Sequence, residues 1–141
     1  MGVPEQGGGL IKKKEAGSRA RALLCVNASL EKKAKDLVIL KVNEISAFAD
    51  YFIIVSGTSD RQVRAIAAAI QENLKKGGIL PLGIEGEAAG QWILLDYGDV
   101  IIHIFLDTVR IFYDLERLWS EAPRMAVPDE TASLKALTRG M

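Results

Sequence analysis

The spacing of apolar positions changes several times along the chain, and each change marks an element. From Ser18 to about Lys35, Leu23, Val26, Leu30 and Ala34 recur at helical spacing. Asp36 then opens Leu37-Val38-Ile39-Leu40, a run too short and too branched for a helix and expected as a buried strand. Tyr51 to Val55 is a second such run. Only about eight residues separate the two, whereas a parallel crossover needs roughly a dozen, so adjacent placement would make them antiparallel.

Ser56-Gly57-Thr58-Ser59 leads into the clearest helix, whose apolar stripe is Val63, Ile66, Ala67, Ile70 and Leu74. Ser59 and Gln62 have capping-box spacing, and Gly77-Gly78 supplies a stop. A third strand is expected near Ile79 to Ile84, with the preceding helix as a crossover. After a small, polar loop from Glu85 to Gly90 comes a hairpin signal: Gln91 to Tyr97, the dipeptide Gly98-Asp99, then Val100 to Leu106. Asp107-Thr108 is placed to cap a short helix through Val109, Phe112 and Tyr113, continuing toward Leu118 and Trp119. One more helix is expected over Pro128 to Leu137. This order predicts a single α/β domain, with a mixed sheet of about five strands and helices packed on at least one face.

The hairpin separates two faces. Across a two-residue turn, Tyr97 pairs with Val100, Leu95 with Ile102 and Ile93 with Ile104, an almost wholly aliphatic face suited to lie under helices. The opposite face pairs Trp92 with Phe105, Leu94 with His103 and Asp96 with Ile101. Large apolar groups there sit beside a carboxylate and the chain's one histidine. Two readings remain open on these grounds: a binding surface rich in aromatics, or a face covered by a second helix layer with His103 satisfied internally.

Composition narrows the function classes. A chain of 141 residues suits one domain, and 49% hydrophobic with 26% charged residues is ordinary for a soluble globular protein. Eighteen basic residues balance eighteen acidic ones, so no basic footprint points to specific nucleic-acid binding. Residues 1–17 are Gly-rich, end near Lys12-Lys13-Lys14 and lack periodicity, so they are expected as a mobile tail. No apolar run approaches the ~20 residues that span a bilayer, and the N-terminus lacks the features of a secretory signal, which predicts a cytoplasmic protein with no membrane partner. Cys25 is expected as a buried small hydrophobe rather than a reactive thiol. One His and one Cys lack the ligand clusters of zinc or iron sites, so neither a metal nor a cofactor is expected.

Several stretches, in their order and spacing, resemble the ribosomal silencing factor (Iojap) family. They are Asp50-Tyr51-Phe52 leading to Ser56-Gly57-Thr58-Ser59, Arg61-Gln62-Val63, and Pro81-Leu82-Gly83 with Glu85-Gly86. Trp92-Ile93-Leu94-Leu95-Asp96-Tyr97-Gly98-Asp99-Val100, His103-Ile104-Phe105 and Tyr113-Asp114-Leu115-Glu116-Arg117-Leu118-Trp119 complete the set. The match spans roughly Leu23 to Arg124, within a domain expected over residues 18–125 and followed by a C-terminal tail at 126–141.

The resemblance implies a nucleotidyltransferase-like fold and a cytoplasmic factor that acts by binding. It implies docking on the large ribosomal subunit through ribosomal protein L-fourteen. Docking would block association with the small subunit and repress translation under nutrient limitation. It places the partner surface on Trp92, Leu94, Asp96 and His103, with Pro81 and Tyr97 as nearby candidates. A homodimer is compatible with this.

The rival class is a nucleotide-binding or nucleotidyltransferase-like enzyme, because Gly57-Thr58-Ser59 before a helix could hold a phosphate. Nucleotidyl transfer, however, needs metal-bridging carboxylates, usually two spaced one residue apart on a strand after the Gly-Ser turn. No such pair exists here. Plain capping is the simpler role for the turn, and no catalytic residue is assigned.

Overall fold

The computed structural model describes residues 3–127, with side chains from Gly17 onward. In chain order the elements are α1 (Val3–Glu31), β1 (Lys35–Lys41), β2 (Tyr51–Gly57), α2 (Asp60–Lys76), β3 (Gly83–Glu85), β4 (Trp92–Asp96), β5 (Val100–Leu106), α3 (Asp107–Tyr113), α4 (Leu115–Leu118) and β6 (Arg124–Met125). The strands form one mixed sheet in the order β3-β4-β5-β2-β1-β6. The helix expected over Pro128 to Leu137 lies outside the described residues.

The continuous apolar run of β2 takes the position such runs need. All seven of its residues are buried, because it sits inside the sheet with a neighbour on each edge. Its pairing with β1 is antiparallel, as the short connection requires. Its pairing with β5 is parallel, Tyr51 opposite Val100 through Gly57 opposite Leu106. Between these strands α2 and the hairpin carry the chain across the sheet. The sheet has one strand more than expected, since β6 adds two residues to the outer edge of β1. A pairing of two residues leaves no periodicity to read.

Both long helices pack on one face. There Ile39, Ile53, Val55, Ile93, Leu95, Tyr97, Val100, Ile102 and Ile104 meet Val63, Ile66, Ala67, Ile70 and Leu74 of α2 and Ala22, Cys25 and Val26 of α1. At ~25 cal/mol per Å2 of apolar surface removed from water, this layer is the main source of stability. The α2 stripe is the one its spacing predicted. Ser59 caps α2 by accepting from the Gln62 N–H, but Gln62 returns its side-chain oxygen to the N–H and hydroxyl of Thr58 rather than to Ser59. At the other end the N–H groups of Gly78 and Ile79 bond back to the carbonyls of Lys75 and Leu74, with Gly78 at φ +77°. That is a Schellman closure, which glycine adopts without strain.

Four expectations need correction. The buried stripe of α1 is Ser18, Ala22, Cys25, Val26, Ala28 and Ser29, with Leu23 and Leu30 only partly covered. Small side chains lie innermost, and the Ser29 hydroxyl is satisfied by the Cys25 carbonyl. The helix ends at Glu31, before Lys35, because Lys33 turns left-handed at φ 59° and the Ala34 N–H closes onto the Ser29 carbonyl. At its other end α1 runs back to Val3 and so includes most of the stretch expected as a tail. Once a packed segment has nucleated a helix, each further residue adds a hydrogen bond. Finally, β3 is confined to Gly83–Glu85. The Ile79 N–H is spent on closing α2, and Pro81 has no N–H to give to a ladder.

Among the described residues no helix is long and apolar enough to cross a membrane. Cys25 is fully buried, and burial pushes its thiol up to about 12.

Candidate docking face on the hairpin

The hairpin closes in the expected register, Trp92 opposite Phe105, Leu94 opposite His103 and Asp96 opposite Ile101. Its turn is the two-residue Gly98-Asp99, bridged by the Tyr97 N–H to the Val100 carbonyl. Within the turn only Gly98 takes a positive φ, +86°, which glycine adopts without strain, and the Asp99 N–H donates to the Tyr97 carbonyl at 3.2 Å. Asp96 is half-buried, and its Oδ1 accepts the Gly98 N–H at 2.8 Å, so this carboxylate helps to fix the turn.

The mixed face divides between the two readings. Phe105 is sealed, and with Leu40, Val42, Phe52 and Ile54 it lies beneath Val109 of α3, Leu115 of α4 and Trp119 just beyond α4. A thin second layer therefore covers the middle of the sheet. Among the described residues the cover ends short of β4, and Trp92, Leu94 and Asp96 are partly exposed. Trp92 stacks on Phe105 at a centroid distance of 4.8 Å and touches the Tyr113 ring at 4.9 Å.

His103 sits below this surface, only 6% exposed. Its Nδ1 accepts the Trp92 Nε1–H at 3.1 Å, and Phe52 meets the imidazole edge-on at 5.4 Å. Burial pushes its pKa down to about 4, because a charged imidazole would lose its hydration without gaining a counter-ion. The ring is therefore neutral at physiological pH, with its proton on Nε2.

Two of the candidate residues fall elsewhere. Tyr97 belongs to the helix-covered face and is 4% exposed. The period of two along β4 dictates this, and burial pushes its phenol up to about 12. Pro81 lies at the α2 side of the sheet, lining a groove with Ala68, Gln71, Glu72 and Lys75. The structure thus gathers Trp92, Leu94 and Asp96 at the surface with His103 beneath them, and leaves Pro81 and Tyr97 apart.

The face also contains residues that strand parity did not reveal. Phe112 is 80% exposed and Tyr113 is 52% exposed. The Phe112 and Tyr113 rings meet edge-on at 5.1 Å. Trp92, Tyr113 and Phe112 therefore form a continuous aromatic ridge from β4 onto α3. In the sequence Phe112 and Tyr113 fall on an apolar helix stripe with Val109, a signal that finds a face but not its cover. Asp114, at φ 46°, ends α3 by donating its N–H to the Arg110 carbonyl, which leaves the ridge at a helix terminus.

Beside the ridge, Arg64 of α2 ties down the loop between β3 and β4. Its guanidinium donates to the carbonyls of Glu87 and Ala88 at 3.1 and 2.7 Å and pairs with Asp60. The loop turns through Gly86 at φ +84°, where a Cβ would lie 2.0 Å from the Trp92 carbonyl oxygen.

At the Gly57-Thr58-Ser59 turn the Thr58 N–H and hydroxyl donate to the Gln62 side-chain oxygen, and the Ser59 hydroxyl oxygen accepts the Gln62 N–H, so these side chains serve to cap α2. Among the described residues no group of three or more His, Cys, Asp or Glu side chains is arranged to hold a metal ion.

Residues 15–139 match the family model described as ribosomal silencing factor during starvation, a longer span than the motifs alone had marked. The chain is 42% identical over 100 residues to a ribosomal silencing factor of Halalkalibacterium halodurans, covering 71% of this chain and 86% of that one. It is 32% identical over 100 residues to a mouse protein named for mitochondrial assembly of the ribosomal large subunit, covering 69% of this chain and 44% of that one. Among solved structures, one from Chromobacterium violaceum superimposes with a TM-score of 0.71 at 36% identity, covering 72% of this chain and 85% of that one. With its motifs, its mixed sheet and this match in agreement, the chain belongs to the ribosomal silencing factor family.

Proposed function

We propose that this protein docks on the large ribosomal subunit through the Trp92 face, contacting ribosomal protein L-fourteen. It thereby blocks association with the small subunit and represses translation in the cytoplasm when nutrients are scarce. The observation that carries this reading is the aromatic ridge of Trp92, Tyr113 and Phe112, continued by Leu94 and edged by Asp96. Large apolar groups that remain partly open to water beside a carboxylate have the composition of an interface centre with a polar rim. Family membership and the mouse relative named for assembly of the mitochondrial ribosomal large subunit support the choice of partner. The balanced charge supports a protein partner over phosphate-dominated binding to RNA.

Co-sedimentation with purified subunits tests this. The protein is expected to travel with large subunits, not with small ones, and to lower the yield of joined ribosomes. Travelling with small subunits alone, or with large subunits that still join normally, would overturn it.

A further inference from the structure

The buried imidazole beneath the docking face has a geometric relation to its most prominent side chain. A tryptophan at a surface can adopt several rotamers, and ordering a side chain on binding costs about 0.5–1.5 kcal/mol. Here the ring is held on three sides. It stacks on Phe105, abuts Tyr113, and donates its one polar hydrogen to Nδ1 of His103 across the pair Leu94–His103 and Trp92–Phe105. Of these, only the hydrogen bond fixes which edge of the indole faces down. Reversing the ring would leave the N–H away from Nδ1 and the imidazole acceptor buried without a donor, which is costly at a site this enclosed.

We propose that His103 is a positioning residue. It touches no partner, and by accepting the indole N–H it fixes Trp92 in the orientation that docking requires. This rests on the proposed docking role of Trp92.

The acceptor's place distinguishes the variants. The Asn side-chain oxygen sits one bond beyond Cγ, as Nδ1 does. The Gln side chain carries its polar atoms one bond further, and Leu has none. Loss of one such hydrogen bond is worth about 0.5–1.5 kcal/mol, or roughly two- to tenfold in affinity. His103→Leu is therefore expected to weaken binding to large subunits by about fivefold, and His103→Asn to restore most of it. In a Trp92→Phe background, which lacks the donor, His103→Leu should add less than about a twofold further loss.

The second readout needs no ribosome. The Trp92 indole N–H resonance, assigned in the free protein by its disappearance in Trp92→Phe, should exchange slowly with solvent in wild type and His103→Asn. It should exchange fast in His103→Leu. If His103→Leu does not fold, His103→Gln against His103→Asn makes the same comparison. Slow exchange persisting without the acceptor, equal weakening in the Asn and Leu variants, or an undiminished His103→Leu penalty in the Trp92→Phe background would each overturn the proposal. Trp92→Ala binding subunits normally would instead remove the docking reading. The indole signal would still report whether His103 holds the ring.

Discussion

Trp92 and Leu95 stand three residues apart on the same strand and face opposite sides of the sheet. Leu95 is sealed under α2, whereas Trp92 lies half-open against Phe105 and Tyr113. Truncating each should separate binding from stability. Trp92→Ala is expected to weaken large-subunit binding by about thirtyfold or more, from the ~2 kcal/mol or greater loss typical of an interface anchor. Leu95→Ala should cost about 2–5 kcal/mol of stability by opening a cavity. Thermal melting beside co-sedimentation checks both. A Trp92→Ala protein that melts earlier than Leu95→Ala would show that the indole serves the core.

The ridge on α3 extends the same test to residues with little structural role. Phe112 is 80% exposed, and surface substitutions of this kind usually change stability by about 0.5 kcal/mol or less. Phe112→Ser is expected to leave the melting temperature nearly unchanged while weakening subunit binding several-fold. Unaltered affinity in a titration with large subunits would confine the docking face to β4.

Salt should matter little. Eighteen basic and eighteen acidic residues leave no net field, and binding built on many phosphate contacts loses orders of magnitude between low and physiological salt. Less than about a tenfold loss is expected over that range in sedimentation. A collapse of several decades would place RNA, rather than protein, under this face.

The buried imidazole also makes stability depend on pH. His103 titrates near 6.5 when unfolded and near 4 in the native protein, because burial disfavours its charged form. Between these values the unfolded chain binds the extra proton, so native stability is complete above about pH 6.5 and declines as pH falls toward 4. The loss is on the order of 3 kcal/mol at about 1.4 kcal/mol per pH unit. Melting curves at pH 7, 5 and 4 for wild type and His103→Asn should converge as the pH falls. Parallel curves would mean that the ring takes up its proton in the native state at the same pH as in the unfolded chain.

Gly86 offers a local check on how the Trp92 strand is held. A Cβ there would collide with the Trp92 carbonyl at 2.0 Å, and φ is +84°. Gly86→Ala is expected to destabilise by more than the ~1 kcal/mol of an ordinary glycine replacement. Glu87→Ala, whose neighbouring backbone Arg64 grips regardless of side chain, should be close to neutral. Chemical denaturation of the two variants makes the comparison.

The hairpin was legible because strand parity and a two-residue Gly-Asp turn together leave one register, and with it both faces. The α2 stripe was legible because its aliphatic side chains are large. In α1 the innermost positions are Ser18, Ala22, Cys25 and Ser29, residues that hydrophobic patterning passes over in favour of Leu23. Depth was harder to read than side. Parity put His103 on the mixed face but could not show that Phe105, Phe52 and Trp92 enclose it. Phe112 and Tyr113 carried the spacing of a buried helix face, yet among the described residues no further layer covers them.

The parallel pairing of β2 with β5 has a consequence for how the protein is made. Tyr51 waits for Val100, roughly fifty residues further along, before the middle of the sheet can close, and such distant pairings slow folding. While synthesis proceeds, the apolar strand Tyr51–Gly57 has β1 on one edge and an open ladder on the other, an invitation to foreign strands. Each new copy thus passes through an interval of vulnerability that ends only when Leu106 has emerged and the hairpin zips into place.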